Sequence, residues 1–245
     1  MRLIRSTLLE SPHGFTTRVG GVSVGPYASL NLGFSSGDES AAVAENRRRV
    51  LAQFGDPPLA TLRQVHGVTV QPVETAGEWR GDGLLSATPG LLLAVQVADC
   101  LPLLMEDPAS GAVAALHAGW RGALGNILAA AVALFVEKFN SRPRDLRLAA
   151  GPGIAASCYQ VDAELAQRFT DAGWPQAVLA DDQPGKARLD LAAVVKAQAL
   201  ALGLPPENLW FAGICSHCHP ELYSYRRDGE ASGRLWGVIQ AGGKR

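Results

Sequence analysis

The sequence LLLAVQVADCLPLLMEDPASGAVAALH, residues 91–117, holds the strongest strand pattern of the chain. Residues 91–99 form a continuous apolar run, and a run of that length predicts a buried strand. Residues 101–105 predict a second extended segment, EDPASG predicts a turn, and residues 112–117 predict the strand that returns from it. The centre of the chain is therefore predicted to be a hairpin, with Cys100 just before its first arm and His117 at the end of its second.

Helices and further strands lie on both sides of this hairpin in the sequence. An ordered, turn-rich loop is predicted over residues 16–40, followed by a helix that Gly55 can end. Further elements are helices over residues 125–139, 162–169 and 191–202, the last with Asp190 as N-cap, and strands at RLAAG, LWFAGI and RLWGVIQ. Since strands outnumber crossover units, the pattern favours an α+β fold with a mixed β-sheet core and flanking helices. No repeat or low-complexity linker interrupts the chain, so residues 1–245 are interpreted as a single domain.

Composition excludes several classes of function. The 22 basic and 23 acidic side chains leave a formal net charge of -1, whereas nucleic-acid and membrane-surface binding usually need a basic face. The N-terminus lacks the pattern of a signal peptide, and the longest apolar run, residues 127–136, is shorter than the roughly 20 residues that cross a bilayer. We therefore expect a cytoplasmic protein with four reduced cysteines and with no nucleic-acid or membrane partner. Composition does not indicate an oligomeric state.

The hairpin determines whether Cys100 and His117 can act together. If residues 107–110 form a four-residue turn, Cys100 and His117 stand opposite each other on one face. A turn one residue longer would place them on opposite faces, because side chains alternate along a strand. His66, in RQVHG, lies near a predicted turn at Gly67 and could join the pair.

These three residues suit two kinds of chemistry. One thiolate and two imidazoles can bind Zn²⁺ or copper, and three protein ligands leave an open fourth position, which is typical of catalytic zinc. Without a metal, Cys100 and His117 could instead form a nucleophile and base pair. Each residue could also be an ordinary structural residue, since a lone buried cysteine is most often a small hydrophobe.

Two other segments contain reactive side chains. ICSHCHP, residues 214–220, holds Cys215-x-x-Cys218 with two histidines, but no second metal-binding motif stands at zinc-finger spacing, so a structural role or no metal is favoured. YSYRRDGEASGR, residues 223–234, could supply cations and aromatic faces to a ligand, or could be a solvated turn. Arg121, just after His117, could enter the same pocket or lie on the surface.

An ordered set of motifs resembles a known family. These are RVGGVSVGPYASLNLG, GDES to ENRRR, RQVHG, DGL, VADCLPLL, HAGWRG, GPGI with CYQV, and a cysteine with YSYRRDGEASGR. Together, over about residues 16–239, they resemble the family named for polyphenol oxidase or multicopper laccase activity, whose members are also described as purine nucleoside phosphorylases. Some bacterial members resemble a peptidoglycan-editing factor.

The resemblance implies a metal site at His66, Cys100 and His117, with zinc the usual metal and copper also possible. It implies phosphorolysis of adenosine, inosine, guanosine and methylthioadenosine, and deamination of adenosine to inosine, with Cys100 and His117 as the catalytic residues. Phosphate needs cations, for which Arg121 and Arg227 are the candidates, with Arg63 a further possibility. Asp99 is a positional candidate for the general acid or base of deamination.

Three alternatives to the nucleoside enzyme follow from the same residues. The Cys/His site could belong to a hydrolase that edits peptidoglycan precursors, or the chain could be a zinc-stabilised module without catalysis. A copper-dependent polyphenol oxidase is disfavoured, because five histidines are too few for a blue-copper site and a separate histidine-rich copper cluster.

Overall fold

Strands in two six-stranded mixed sheets form the centre of the protein, which a computed structural model describes over residues 1–242. In chain order the strands are β1 (Leu3–Ile4), β2 (His13–Thr16), β3 (Leu59–Arg63), β4 (Val70–Pro72), β5 (Gly77–Arg80), β6 (Gly83–Ser86), β7 (Leu92–Val97), β8 (Leu101–Glu106), β9 (Val113–Ala118), β10 (Arg147–Ala150), β11 (Gln160–Asp162), β12 (Val178–Ala180), β13 (Lys186–Leu189), β14 (Leu209–Phe211) and β15 (Leu235–Gln240). The first sheet has the order β1-β2-β15-β7-β3-β5, the second β14-β10-β8-β9-β6-β4, and a small antiparallel sheet β11-β13-β12. The predicted α+β class with mixed sheets is confirmed, while the assignment of residues 1–245 to one domain stays a prediction.

The helices flank these sheets. They are α1 (Ser40–Ala52), α2 (Trp120–Leu124), α3 (Ile127–Phe139), α4 (Ala163–Asp171), α5 (Leu191–Ala201) and α6 (Tyr225–Asp228), with 3₁₀ turns at Gly25–Tyr27, Phe34–Ser36, Pro143–Asp145, Ala156–Cys158, Pro175–Ala177, Pro206–Asn208 and Gly229–Ala231. The predicted N-cap of α5 is confirmed, since the Asp190 carboxylate accepts a hydrogen bond from Ala193 N at 2.9 Å. Within residues 1–242, no helix is long and apolar enough to cross a bilayer.

Alternating side chains explain why the central strands are apolar throughout. In β8, Leu103 and Met105 pack with the cluster that contains α3 and α5, whereas Leu104 packs with residues of the first sheet. In β9, Leu116 likewise faces the helices, and Ala115 faces the first sheet. A strand that is covered on both faces has a continuous run of hydrophobic residues in its sequence. His117, two residues beyond Ala115, therefore points to the space between the two sheets.

The β8–β9 hairpin has a longer connection than the four-residue turn considered from the sequence. Glu106 pairs with Val113, so six residues, 107–112, connect the strands. Two extra residues shift the register by two and preserve the face, because the side-chain period is two. His117 consequently stands opposite Pro102 instead of Cys100. The two reactive residues still share a face, in a diagonal arrangement.

The segment after His117 also differs from the prediction. Residues 120–124 form the short helix α2, and α3 begins at Ile127 instead of at residue 125. Asn126 adopts a left-handed conformation and caps α3 through its side chain. Gly122 lowers the helix propensity of α2, but a Cβ there would lie 3.2 Å from His117 O and 3.3 Å from Gly67 O. Close packing against these backbones therefore outweighs propensity.

Candidate functional site

The structure brings together the three residues predicted as metal ligands. One ligand atom from each of His66, Cys100 and His117 lies within 4.8 Å of those of the other two. The two imidazole rings meet edge to face, with centroids 4.8 Å apart and an interplanar angle of 84°. His117 is buried, Cys100 is partly exposed and His66 is exposed, so the cluster opens toward solvent on one side.

Each member of the trio, His66, Cys100 and His117, lies near the beginning or the end of a strand. His117 lies in β9 on the face between the sheets, and Cys100 immediately precedes β8. The residue before Cys100, Asp99, has a φ of 90° in the short connection between β7 and β8. His66 has a φ of 58° in the turn after β3. Such conformations are unfavourable for residues with a Cβ and persist where surrounding contacts impose them.

Asp82 is the residue that imposes the geometry. Its carboxylate is fully buried; Oδ1 accepts hydrogen bonds from His66 N at 2.9 Å and from His117 Nδ1 at 2.9 Å. Oδ2 accepts from Gly67 N at 2.6 Å and from Val65 N at 3.3 Å. One carboxylate thus shapes the turn that carries His66 and engages Nδ1 of His117, so Nε2 is the ring nitrogen that faces Cys100 and could bind a metal. Carboxylate–histidine pairs of this kind orient histidines at metal sites.

The charges of the trio are strongly coupled. Burial opposes a Cys100 thiolate, but the neighbouring charge of His117 and hydrogen bonds from both histidines outweigh it and lower the pKa of Cys100 to about 6. Burial likewise opposes a charged His117, but the Cys100 thiolate and the Asp82 carboxylate raise its pKa to about 9. In the metal-free protein near neutral pH, the pair is therefore a thiolate and an imidazolium. The thiolate is the form that binds metal.

The space around the trio fits a metal ion. A Cβ on Gly119 would lie 2.8 Å from Cys100 Sγ and 3.6 Å from His66 Cδ2, so a side chain at this position would fill the space beside these two ligands. Two imidazoles and one thiolate form a Cys/His₂ donor set that zinc accepts. Three protein donors leave a coordination position open to a ligand from the cavity.

A cavity of about 720 Å³ opens over the trio. This volume is within the range of small-molecule sites. The lining combines the trio with cationic, aromatic and acidic side chains: Phe34, Ser35, Arg47, Leu62, Arg63, Gln64, Glu78, Gln96, Val97, Ala98, Asp99, Ile154, Tyr159, Tyr225, Arg226 and Arg234. Burial and the nearby Cys100 charge raise the pKa of Tyr159 to about 12, so its hydroxyl remains a hydrogen-bond donor at neutral pH.

The cations on the cavity wall are only partly those expected from the sequence. Arg63, the further candidate, lines the cavity, and its guanidinium has no protein partner among residues 1–242. Arg226 and Arg234 line it as well, with guanidinium carbons 5.2 Å and 5.9 Å from the ring centres of Tyr159 and Tyr225 respectively. Four arginines, counting Arg47, make the wall attractive to an anion.

The structure places Arg121 and Arg227 outside this lining. Arg121 is exposed and lies over the Trp120 ring, with its guanidinium carbon 4.4 Å from the ring centre. Arg227 donates to the carbonyls of Ser216, His217 and Leu222, and it pairs with Asp228 at 2.8 Å. Its hydrogen bonds therefore order the surrounding segment. Substrate binding by Arg121 and Arg227 stays a prediction.

Asp99 reaches the cavity with both carboxylate oxygens engaged. Oδ1 accepts from Ser216 Oγ at 2.6 Å, and Oδ2 accepts from the backbone N of Arg226 at 2.6 Å. These bonds fix the N-terminus of α6, from which Tyr225 and Arg226 face the cavity. The segment considered as either a ligand-binding element or a solvated turn thus begins with a helical turn on the cavity wall.

Sequence reasoning missed two parts of the site. Asp82 lay within the DGL motif of the family resemblance but received no role, and its only chemical signal was an acidic residue directly before an apolar strand. Tyr159 lay in the CYQV motif of the same resemblance and also received no role. Their side-chain partners are 15 or more residues away in the chain, so local patterns do not indicate their roles.

Both the sequence and the fold of this chain are similar to those of known proteins. Residues 12–242 match the model of a family described as multi-copper polyphenol oxidoreductase laccase. A purine nucleoside phosphorylase of Deinococcus radiodurans is 45% identical over 239 residues, which cover 97% of this chain and 92% of that protein. The purine nucleoside phosphorylase YlmD of Geobacillus stearothermophilus is 36% identical over 243 residues, covering 92% and 88% respectively. The crystal structure of YlmD from the same organism superimposes with a TM-score of 0.88 over 97% of this chain and 93% of that chain, at 34% identity.

Proposed function

The chain belongs to the multi-copper polyphenol oxidoreductase laccase family, and from that membership we propose that it is a zinc-dependent purine nucleoside phosphorylase. Its relatives with that name support the reaction class. The proposed substrates are adenosine, inosine, guanosine and methylthioadenosine, each split with phosphate into a base and ribose 1-phosphate or its methylthio analogue. Deamination of adenosine to inosine and ammonia is proposed as a second reaction of the same cavity.

One observation carries the proposal: the Cys/His trio shares a single cavity with cations and aromatic rings. Phosphorolysis needs an anion beside the ribose and a surface for the base, and this wall offers both. Arg63 is the proposed phosphate ligand, because its guanidinium lines the cavity and has no hydrogen-bond or ion-pair partner within residues 1–242. Phe34, Tyr159 and Tyr225 offer ring faces on which a purine can stack.

The bond changes can be assigned to these groups. A phosphate oxygen bonds to C1′ of the ribose while the bond from C1′ to the base breaks, and the electron pair leaves with the base. The guanidinium groups hold the phosphate against C1′, and the protonated Tyr159 hydroxyl can donate a hydrogen bond to the bound nucleoside. Zinc bound at His66, Cys100 and His117 would supply Lewis acidity at its open position.

The histidines do not support a multicopper laccase. His13, the first residue of β2, forms hydrogen bonds with Ser6 N and Ser11 O in the loop that precedes it. His219 accepts a hydrogen bond from Glu221 N. Only His66 and His117 line the described cavity. A blue-copper centre alone needs two histidines and a cysteine, which leaves no histidine there for a further copper cluster. Binding of a single copper ion at the trio stays a prediction.

The proposal is tested by incubating zinc-loaded protein with adenosine, with and without phosphate, and resolving adenine, inosine and hypoxanthine by chromatography. We expect phosphate-dependent adenine, and inosine without phosphate, and both should disappear in His117→Ala. Failure to form any product from the four nucleosides would refute the proposal. The same protein would then be incubated with peptidoglycan precursors, since the editing hydrolase uses the same site.

The phosphate role of Arg63 has a matched control. Loss of one charge-assisted hydrogen bond costs about 1.5–3 kcal/mol, so Arg63→Ala should raise the KM for phosphate roughly 10- to 100-fold. The KM for nucleoside should change less. Arg144→Ala, which removes an exposed arginine outside the cavity, should change neither constant. An unchanged phosphate KM in Arg63→Ala would show that other cations bind the anion.

A further inference from the structure

A second cluster of soft ligands lies outside the cavity, where two distant loops meet. Cys158 ends the 3₁₀ turn after β10, and Cys215 to Cys218 form the turn after β14. A β-bridge joins Gly153 to Cys215, and the N–H of Ala155 donates to Cys215 Sγ at 3.4 Å. The two loops are thus already aligned by backbone contacts.

The donor atoms of this cluster are spaced for metal binding. The Sγ atoms of Cys158 and Cys218 are 3.2 Å apart, and one ligand atom of His217 lies within 4.8 Å of both. A tetrahedral zinc ion with sulfur at about 2.3 Å and nitrogen at about 2.0–2.1 Å separates its donors by roughly 3.5–3.8 Å. Small side-chain rotations would therefore bring Cys158, His217 and Cys218 to coordination distances.

Cys215 lies next to these three, but its Sγ is not within 4.8 Å of all their ligand atoms, so it must move inward to become the fourth donor. Its Sγ accepts a hydrogen bond from the backbone N–H of Ala155 at 3.4 Å. Backbone N–H groups directed at sulfur stabilise a thiolate, which is the ligand form. The spacing Cys-x-x-Cys is that of metal-binding turns. Cys158 then supplies the third sulfur from a residue 57 positions earlier in the chain.

We propose that Cys158, Cys215, His217 and Cys218 bind a second zinc ion with a structural role, distinct from the cavity site. Three sulfurs and one imidazole make a closed Cys₃His set, which is typical of structural zinc. A disulfide between Cys158 and Cys218 is the competing arrangement, but it leaves the convergence of His217 and Cys215 unexplained. It also requires an oxidant and an S–S separation of about 2.05 Å.

The ion would fasten two loops that build the cavity. Cys158 is followed by Tyr159 on the cavity wall, and Ser216, between two of the ligands, donates to Asp99. Arg227 bonds to the carbonyls of Ser216 and His217. A cation at this junction would fix the loop that carries Tyr159 against the segment that leads to α6, without contributing a group to the cavity.

The test counts zinc per chain in protein that has been reduced, saturated with zinc and freed of excess. Wild-type protein should hold two ions, His117→Ala one, and the double variant Cys158→Ser/Cys218→Ser one. His219→Asn is the matched control, because its amide oxygen can replace the acceptor for Glu221 N, and it should hold two ions. X-ray absorption of the ion in His117→Ala should show three sulfur neighbours and one nitrogen neighbour.

A second measurement uses the wild-type chain, in case the double variant does not fold. Zinc should protect Cys158 and Cys218 from alkylation, as mapped by mass spectrometry, and a chelator should abolish this protection. One zinc per chain in wild-type protein, with both thiols alkylated equally with and without zinc, would overturn the proposal. So would a Cys158–Cys218 disulfide that persists in the zinc-saturated protein. None of these readouts depends on nucleoside turnover.

Discussion

Replacement of Asp82 by asparagine should weaken both metal binding and folding. The substitution keeps the shape of the side chain but exchanges one carboxylate oxygen for an NH₂ group. Oδ1 now serves His66 N and His117 Nδ1, while Oδ2 serves the N–H groups of Gly67 and Val65. In either orientation of the amide, two N–H donors would face another donor.

The magnitude follows from those two lost acceptors. A buried donor without a partner costs about 1–3 kcal/mol, so Asp82→Asn should lower the free energy of unfolding of the metal-free protein by roughly 2–6 kcal/mol. Loss of the carboxylate that orients a liganding histidine typically weakens metal affinity about 10- to 100-fold. Both effects arise because one fully buried side chain supports the His66 turn and the His117 ring.

Two assays separate the effects: urea unfolding of the metal-free protein, and competition for zinc with a chromophoric chelator. Asp145→Asn is the control, since Asp145 forms a partly exposed pair with Arg142 and its loss should cost less than about 1 kcal/mol. If Asp82→Asn unfolds at the wild-type urea concentration and binds zinc with unchanged affinity, the positioning role assigned to Asp82 is refuted.

Three further predictions concern Gly119 beside the metal site, the zinc ion and the buried His13. Gly119→Ala places a Cβ 2.8 Å from Cys100 Sγ and should therefore weaken zinc binding at least about tenfold in the same competition assay. Unchanged zinc affinity would show that the sulfur has room to move. Removal of zinc by a chelator should abolish adenosine phosphorolysis while circular dichroism still shows a folded protein, and added zinc should restore turnover; full activity without metal would contradict a zinc requirement. Burial lowers the pKa of His13 below its usual 6.5, so the folded state takes up fewer protons than the unfolded state at acidic pH. The contribution of His13 to the free energy of unfolding should therefore be greatest above pH 6.5 and should be lost as the pH falls through the lowered pKa, by at most about 1.4 kcal/mol per pH unit. His13→Gln should flatten this part of the pH dependence in urea titrations, and an equal slope in both proteins would refute the assignment.

Local patterns predicted the elements well where burial or capping is decided by neighbours in the chain. The apolar run at residues 91–99 contains β7, and Asp190 caps α5 as expected. The short helix α2 was missed, because glycine propensity disfavours it and contacts with a distant turn at Gly67 maintain it. Hairpin register was left open by the sequence, and the six-residue connection places Cys100 and His117 on one face.

The candidate site was likewise predicted only in part from the sequence. Residue types and family resemblance indicated His66, Cys100 and His117, and the structure brings these three together. The sequence RRDG, residues 226–229, does not indicate which arginine faces the cavity. Successive residues of a helical turn point about 100° apart, so the packing of α6 determines that Arg226 lines the cavity.

The reactive groups, the apolar strands and the α+β class could be predicted without the structure, because they depend on residue chemistry and short periodicities. Folding of the whole chain was needed to show that Asp82 orients His117 and that Cys158 lies beside Cys218. It was also needed to show that Arg227 orders a loop while Arg226 lines the cavity. These contacts join residues that are distant in the chain or differ only in direction, so they depend on strand register and loop packing, which no local pattern encodes.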